Sequence, residues 1–291
     1  MEMCFLNMRF IHLHISVLIL FLCSCKKDLS IETPTPTQQV VIEGYIEQDR
    51  YPRIYITKSS PYFQTIDSMA MWKLLGSVAK VTIATKQDTE ILTLRSNFKQ
   101  FPPYYFEGTE IKGKVGESYF LKVELHGKVY TSRTTISPSV ALTALAIHSN
   151  PTNSLEKFFG ISFQDPINVK NYYKIYAKRI GIDQDYMSCY LSTFTDYLFD
   201  GKLNHFEVLK GYSPLVDKQM NRYFQLGDSV SLKFCTINQE QFDYWKKIES
   251  LLTISSNPFG LSSADAPSMI DGGALGIWSG QGASYYSMKV K

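Results

Sequence analysis

Two eight-residue runs, Ser118–Leu125 (SYFLKVEL) and Lys128–Thr135 (KVYTSRTT), alternate apolar and polar side chains on either side of His126-Gly127. A period of two sends alternate side chains to opposite faces, and a two-residue connector ending in Gly suits the left-handed backbone of a tight hairpin. This segment is therefore an antiparallel hairpin with one buried face. The rest of the chain has to supply the layer that covers it.

The same signal recurs at short intervals. Val40-Val41-Ile42-Glu43-Gly44-Tyr45-Ile46 reads as a strand, with residues 53–57 (RIYIT) as its hairpin partner. Residues 78–84 (VAKVTIA) alternate, and 91–94 and 104–106 add two short strands. Seven short strands separated by turn residues describe a β-sandwich of immunoglobulin or transthyretin type over 39–137. Ser137-Pro138-Ser139 marks a joint to a second β-rich domain, 138–291. Its strands fall at 140–148, 158–163, Tyr172–Arg179, Met187–Thr195, 206–209 and 230–236. The 19 Tyr and 18 Phe, with many Val, Ile and Thr, agree with half-buried pleated surfaces. Isolated tyrosines among them read as sheet packing.

The period changes once. Residues 238–252 space Phe242, Trp245, Ile248 and Leu252 three or four apart, which makes one apolar stripe on a helix. Asn238 followed by Gln241 is a capping-box pair at its start. Beyond it the chain is Gly-rich (Gly272, Gly273, Gly276, Gly280, Gly282). Residues 275–278 and 284–288 read as two closing strands, and the glycines mark tight turns or close backbone approach.

The leader is of another kind. Arg9 precedes an apolar stretch, 10–22 (FIHLHISVLILFL), and then Leu22-Cys23-Ser24-Cys25. As a helix, that stretch reaches only about 20 Å, short of the roughly 30 Å a span requires. It reads as a cleaved signal over 1–24 ending in a bacterial lipobox, with Cys25 as the lipidated residue. The alternative is an ordinary secretory signal with incidental cysteines. Residues 25–38 follow as a tether. Pro34 and Pro36 among threonines favour an extended chain that spans about 45 Å from 26 to 38. After cleavage the net charge stays +3, because Glu2 and Arg9 leave together; that is too slight to argue for nucleic acid, and no nucleic-acid partner is expected. Of the remaining cysteines, Cys189 and Cys235 are either a disulfide in an oxidising envelope or two buried free thiols. The connection 59–77 carries Met69, Met71 and Trp72, either as an exposed lip for a partner or as a helix closing one end of the sandwich core.

Catalytic signatures are missing from the sequence: no Gly-x-Ser-x-Gly, no His-Glu-x-x-His and no phosphate loop. His126, His148 and His205 are isolated. Asp183-Gln184-Asp185 lacks the Gly and closing Glu of a calcium loop. No cofactor or metal is expected. Carboxylates that meet only in space, as in a glycosidase, leave no mark in sequence.

Several stretches, in order, resemble the Bacteroides-group envelope lipoproteins catalogued as domain of unknown function 4249. They are Val40-Val41-Ile42-Glu43-Gly44, residues 54–62 (IYITKSSPY), residues 78–83, residues 116–121 with 127–132, Tyr244-Trp245, Pro258-Phe259, and Ile270-Asp271-Gly272-Gly273 through Gly276. Lys80 and Met269 depart from the usual pattern, which carries Asn at the latter place. The resemblance implies a transthyretin-like N-terminal module, no established catalytic residues, and genes near TonB-dependent receptors. The resulting expectation is a non-enzymatic outer-membrane lipoprotein. It would assist a TonB-dependent transporter by docking on it or binding its ligand, a small molecule or glycan. A surface adhesive or structural lipoprotein and an envelope hydrolase are the alternatives.

Overall fold

The structure is a computed structural model that describes residues 38–59, 79–98, 100, 102–212, 217, 220–254 and 267–291. The signal segment, Cys25 and the tether to residue 37 lie outside the described residues, as do Met69, Met71, Trp72 and Pro258-Phe259.

The described residues are mostly β, with one helix. Its first half contains β1 (Val40–Glu47), β2 (Arg53–Lys58), β3 (Lys80–Ala84), β4 (Thr89–Ile91), β5 (Thr93–Ser96), β6 (Tyr104–Glu107), β7 (Ser118–Leu125) and β8 (Lys128–Thr135). The second half contains β9 (Leu142–Asn150), β10 (Asn153–Gln164), β11 (Tyr172–Arg179), β12 (Met187–Thr195), β13 (Leu203–Val208), β14 (Phe224–Gln225) and β15 (Ser229–Ile237). Helix α1 (Gln239–Ile254) and β16 (Leu275–Lys289) follow. The hairpin between β7 and β8 turns through His126 and Gly127, both at positive φ (49° and 76°), as the two-residue connector requires.

Eight strands form one sheet in the order β12-β11-β15-β16-β1-β2-β6-β5. Two smaller sheets, β4-β3-β7-β8 and β13-β10-β14 with β9 on β10, complete the set. The apolar side chains form two main cores. One holds Ile42, Ile46, Ile54, Val81, Tyr119, Val123 and Trp278 between the large sheet and β4-β3-β7-β8. The other holds Phe159, Phe163, Tyr173, Ile175, Phe224 and Phe234 between the large sheet and the β10 sheet. The first core takes Trp278, Ile270 and Ala274 from the second half of the chain, and the large sheet runs through both halves. β16 pairs in parallel with β1 through Leu275 to Gln281 and antiparallel with β15 through Gly282 to Lys289.

The two closing strands expected at 275–278 and 284–288 are thus one strand of 15 residues. Its glycines serve close approach, not turns. A Cβ on Gly276 would sit 1.9 Å from the Ile42 carbonyl oxygen, and one on Gly282 would sit 2.2 Å from that of Ser137. Even-numbered β16 side chains feed the two cores: Trp278 enters the first, Tyr286 and Met288 the second. Trp278 is fully buried beside Gly44 and donates its indole N–H to the Tyr119 carbonyl on the facing sheet at 3.0 Å. The odd-numbered side chains face the other way, where α1 lies.

Helix α1 begins as its capping box requires. Asn238 Oδ1 accepts the Gln241 backbone N–H at 2.9 Å, and the Asn238 N–H donates back to Gln241 Oε1 at 3.4 Å. Phe242 and Trp245 pack on Tyr172, Tyr176, Cys235 and Ile237, so the stripe does meet the sheet. These two rings are only half-buried, and the deeply buried residues of the helix include Gln241 and Glu249. Gln241 donates to Thr134 Oγ1 at 2.8 Å, and Glu249 accepts from Lys174 Nζ at 2.9 Å and Thr193 Oγ1 at 2.6 Å. The helix is therefore bonded to the sheet by polar groups as well as packed on it.

Cys189 and Cys235 are both buried free thiols, not a bridge. They sit on β12 and β15, which flank β11. Two strand spacings amount to about 9.5 Å, beyond the reach of a disulfide. They also lie on opposite faces: Cys189 joins Tyr173 and Ile175, and Cys235 joins Tyr172 and Tyr176. Burial pushes each thiol up to about 12, against a small opposing pull from nearby lysines.

Candidate functional site

The sequence of β1, VVIEGYIE, alternates between two environments. Ile42, Gly44 and Ile46 face the first core, which leaves Glu43, Tyr45 and Glu47 on the opposite face. On that face Glu43 neighbours Tyr55 and Ile277, Tyr45 neighbours Ser279, and Glu47 neighbours Gln281. β15 contributes Lys233 from the same side, and β11 contributes Tyr176. Trp245 of α1 and the segment around Asp185 and Tyr186 close the walls. The result is a cavity of about 230 Å³ lined by Glu43, Tyr45, Tyr55, Tyr176, Asp185, Tyr186, Ser188, Lys233, Trp245, Ile277, Ser279 and Gln281. It is the candidate site.

Lys233 forms the floor. Its Nζ donates to Glu47 Oε1 at 2.9 Å and to Gln281 Oε1 at 3.0 Å. The ammonium also lies over three tyrosine rings, 4.4 Å from the Tyr176 centroid, 5.0 Å from Tyr45 and 5.3 Å from Tyr186. Burial is the largest influence and lowers its pKa, but Glu47, Cys235 and Asp185 together outweigh it and the net shift is upward. Lys233 is therefore a fixed cation with its protons already engaged. Glu47 is buried too, and also accepts the Tyr285 hydroxyl and meets Arg50 Nε at 3.5 Å. A second buried pair, Lys174 with Glu249, lies behind Trp245, and Lys174 Nζ is 4.9 Å from that ring's centroid.

The acidic groups at the mouth differ from one another. Asp185 accepts the Tyr55 hydroxyl at 3.0 Å and the Tyr186 N–H at 2.8 Å. Among the described residues Glu43 has no hydrogen-bond or ion-pair partner. Its side chain is exposed to solvent, and the neighbouring walls raise its carboxyl above the ordinary range by desolvation. Arg53, near the Tyr45 and Tyr55 hydroxyls, is engaged by Glu107 at 2.6 Å. The Trp245 indole N–H is buried without an acceptor. The arrangement offers ring faces, one unengaged carboxylate and a shape suited to a compact guest.

Of the residues named in the sequence, Glu43, Gly44 and Tyr45 of the first strand, Trp245 of the helix stripe and Asp185 of the rejected calcium turn line this cavity, and none of these was named there as a site residue. Asp183, two residues earlier, is buried and ties down Arg179, accepting from Nη2 at 2.6 Å and from the backbone N–H at 2.7 Å. Lys233 and Glu47 carried a signal that was overlooked. A lone charge inside an apolar strand such as VSLKFCT, with both faces covered, has to be paired or to serve a site.

Among the described residues, one acidic group has the spacing of a metal site. One carboxylate oxygen from each of Asp165, Asp196 and Asp200 lies within 4.8 Å of the others. All three carboxylates already hold loops. Asp165 accepts the Tyr173 hydroxyl at 2.5 Å and the Gly201 N–H at 3.1 Å. Asp196 accepts the Asn171 N–H at 2.6 Å, and Asp200 the Asn168 N–H at 2.9 Å. That is loop-closing chemistry. No helix of the described residues is long and apolar enough to cross a membrane.

In comparisons with known proteins, the family model described as Domain of unknown function (DUF4249) matches residues 26–281. No curated protein matches the chain.

Proposed function

The chain belongs to the DUF4249 family, and we propose that it is a non-enzymatic, lipid-anchored binding protein of the outer membrane, acting as an accessory or ligand-binding partner of a TonB-dependent transporter. The observation that carries the binding reading is the cavity of about 230 Å³ with its wall of four tyrosines and Trp245. Ring faces bury a guest at low entropic cost, and a few fixed polar groups orient it. The interior cations are neutralised by Glu47 and Glu249, which leaves them as scaffolding.

The anchor rests on Leu22-Cys23-Ser24-Cys25 and the tether that follows it. Two or more acyl chains on Cys25 hold a protein at a bilayer without any spanning helix. The transporter partnership rests on the family resemblance. Affinity purification of the Cys25-lipidated protein is expected to bring a TonB-dependent receptor with it. Preparations free of any receptor, even after crosslinking in intact cells, refute the partnership. Replacing Cys25 by Ala and finding the protein still in the membrane fraction refutes the anchor.

A further inference from the structure

Resting on that binding reading, we propose that the cavity selects ligands bearing a cationic nitrogen, an ammonium or guanidinium on a compact body, with Glu43 as the counter-ion.

The charged groups of the cavity lining are Glu43, Asp185 and Lys233, and Arg53 stands beside the Tyr45 and Tyr55 hydroxyls. Lys233 is paired with Glu47, and Arg53 with Glu107. Subtracting these pairs leaves Glu43 and Asp185, and neither makes an ion pair among the described residues. Asp185 has two donors of its own from Tyr55 and Tyr186. Glu43 has none, and it stands in the middle of β1 between Tyr55 on β2 and Ile277 on β16. Glu43 is exposed, so water supplies its donors in the free protein, and a cationic group seated against the rings would replace that water with a charge-assisted hydrogen bond.

The rings favour the same ligand. Aromatic faces carry negative quadrupole potential and attract cations within about 6 Å of the centroid. This ring set already does so: Tyr45, Tyr176 and Tyr186 surround the Lys233 ammonium, and Tyr176 and Trp245 also face that of Lys174. Both lysines approach from within the protein. The cavity side of Tyr45 and Trp245, with Glu43 beside them, offers an incoming cation the same chemistry. A neutral sugar would gain the stacking and lack the charge term. An anion would meet Glu43 and Asp185 and be repelled.

The test uses the mature lipidated chain in detergent micelles and titration calorimetry at neutral pH and low salt. The probes form two pairs matched in shape: benzylammonium with benzyl alcohol, and glucosamine with glucose. Within each pair the ammonium is expected to bind at least about tenfold more tightly, the value of one charge-assisted contact. Glu43→Gln keeps shape and is expected to erase that preference, while unchanged thermal unfolding shows that the fold is intact. Equal affinities within both pairs overturn the proposal on wild-type protein alone, as does a preference that survives Glu43→Gln. Either result leaves the cavity a binding site of another selectivity. Failure of all four probes to bind overturns the proposal and, with it, the reading of this cavity as a binding site.

Discussion

Replacing Lys233 by Met tests whether the floor of the cavity is an obligatory pair. The side chains of Lys233 and Glu47 are 5% and 3% exposed, so neither charge is solvated in the folded protein. Removing one partner leaves the other as a buried charge, which costs about 3–5 kcal/mol. Glu47 would still accept from Tyr285 and face Arg50, which is 60% exposed and so a weak substitute. The lower end, about 3 kcal/mol, is the better expectation. For a unit of this size that corresponds to a Tm lower by roughly 6–12 °C. Glu47→Leu is expected to cost a similar amount, and the double variant no more than either single one. The coupling energy is then about 3 kcal/mol. Thermal and urea unfolding followed by circular dichroism measure all four corners of the cycle. A double variant equal to the sum of the singles, or single costs below about 1 kcal/mol as for an exposed pair, refutes the reasoning.

Two further predictions concern the backbone and pH. Gly276→Ala places a Cβ against the Ile42 carbonyl at φ +121° and is expected to cost about 3 kcal/mol or more, whereas Gly273→Ala, at φ +85° in open space, costs about 1 kcal/mol; equal costs in urea melts defeat the close-approach argument. Burial raises the phenols of Tyr173, Tyr176 and Tyr285. A raised folded pKa means that their contribution is whole below the ordinary tyrosine value of about 10 and is lost as pH rises through the folded values. Lys233 acts in the same sense. Tm is therefore expected to fall steeply above about pH 10, with tyrosinate absorbance appearing together with unfolding. A Tm that stays level to pH 11 contradicts this.

Local rules were legible in the sequence, and distant pairings were not. His126-Gly127 and the Asn238–Gln241 box each encode their geometry within a few residues, and both appear as read. Strands β7, β8, β11 and β12 have the expected limits because alternation and turn residues agree there. β16 was divided in two because Gly280 and Gly282 resemble breaks. Their reason, the nearness of the Thr135 and Ser137 carbonyls, lies about 145 residues away in the chain. The candidate site was hidden for a related cause. Its tyrosines come from three strands and the loop before β12, and each alone is indistinguishable from sheet packing. The partners of the buried lysines, Glu249 for Lys174 and Glu47 for Lys233, were not legible, since a charge acquires a buried partner only through the fold.

The parallel pairing of β1 with β16 joins Val41 to Leu275, so the large sheet stays open until residues far along the chain arrive. Loop closure over such a distance makes formation slow. During that interval β1 and β15 each present an unpaired edge, the kind of surface that recruits strands from other molecules. Folding of this protein is thus expected to be a race between self-completion and aggregation, decided by one strand. A peptide copying Leu275–Lys289, supplied in excess during refolding, would compete for the seat of β16 and trap the chain with its two halves unjoined.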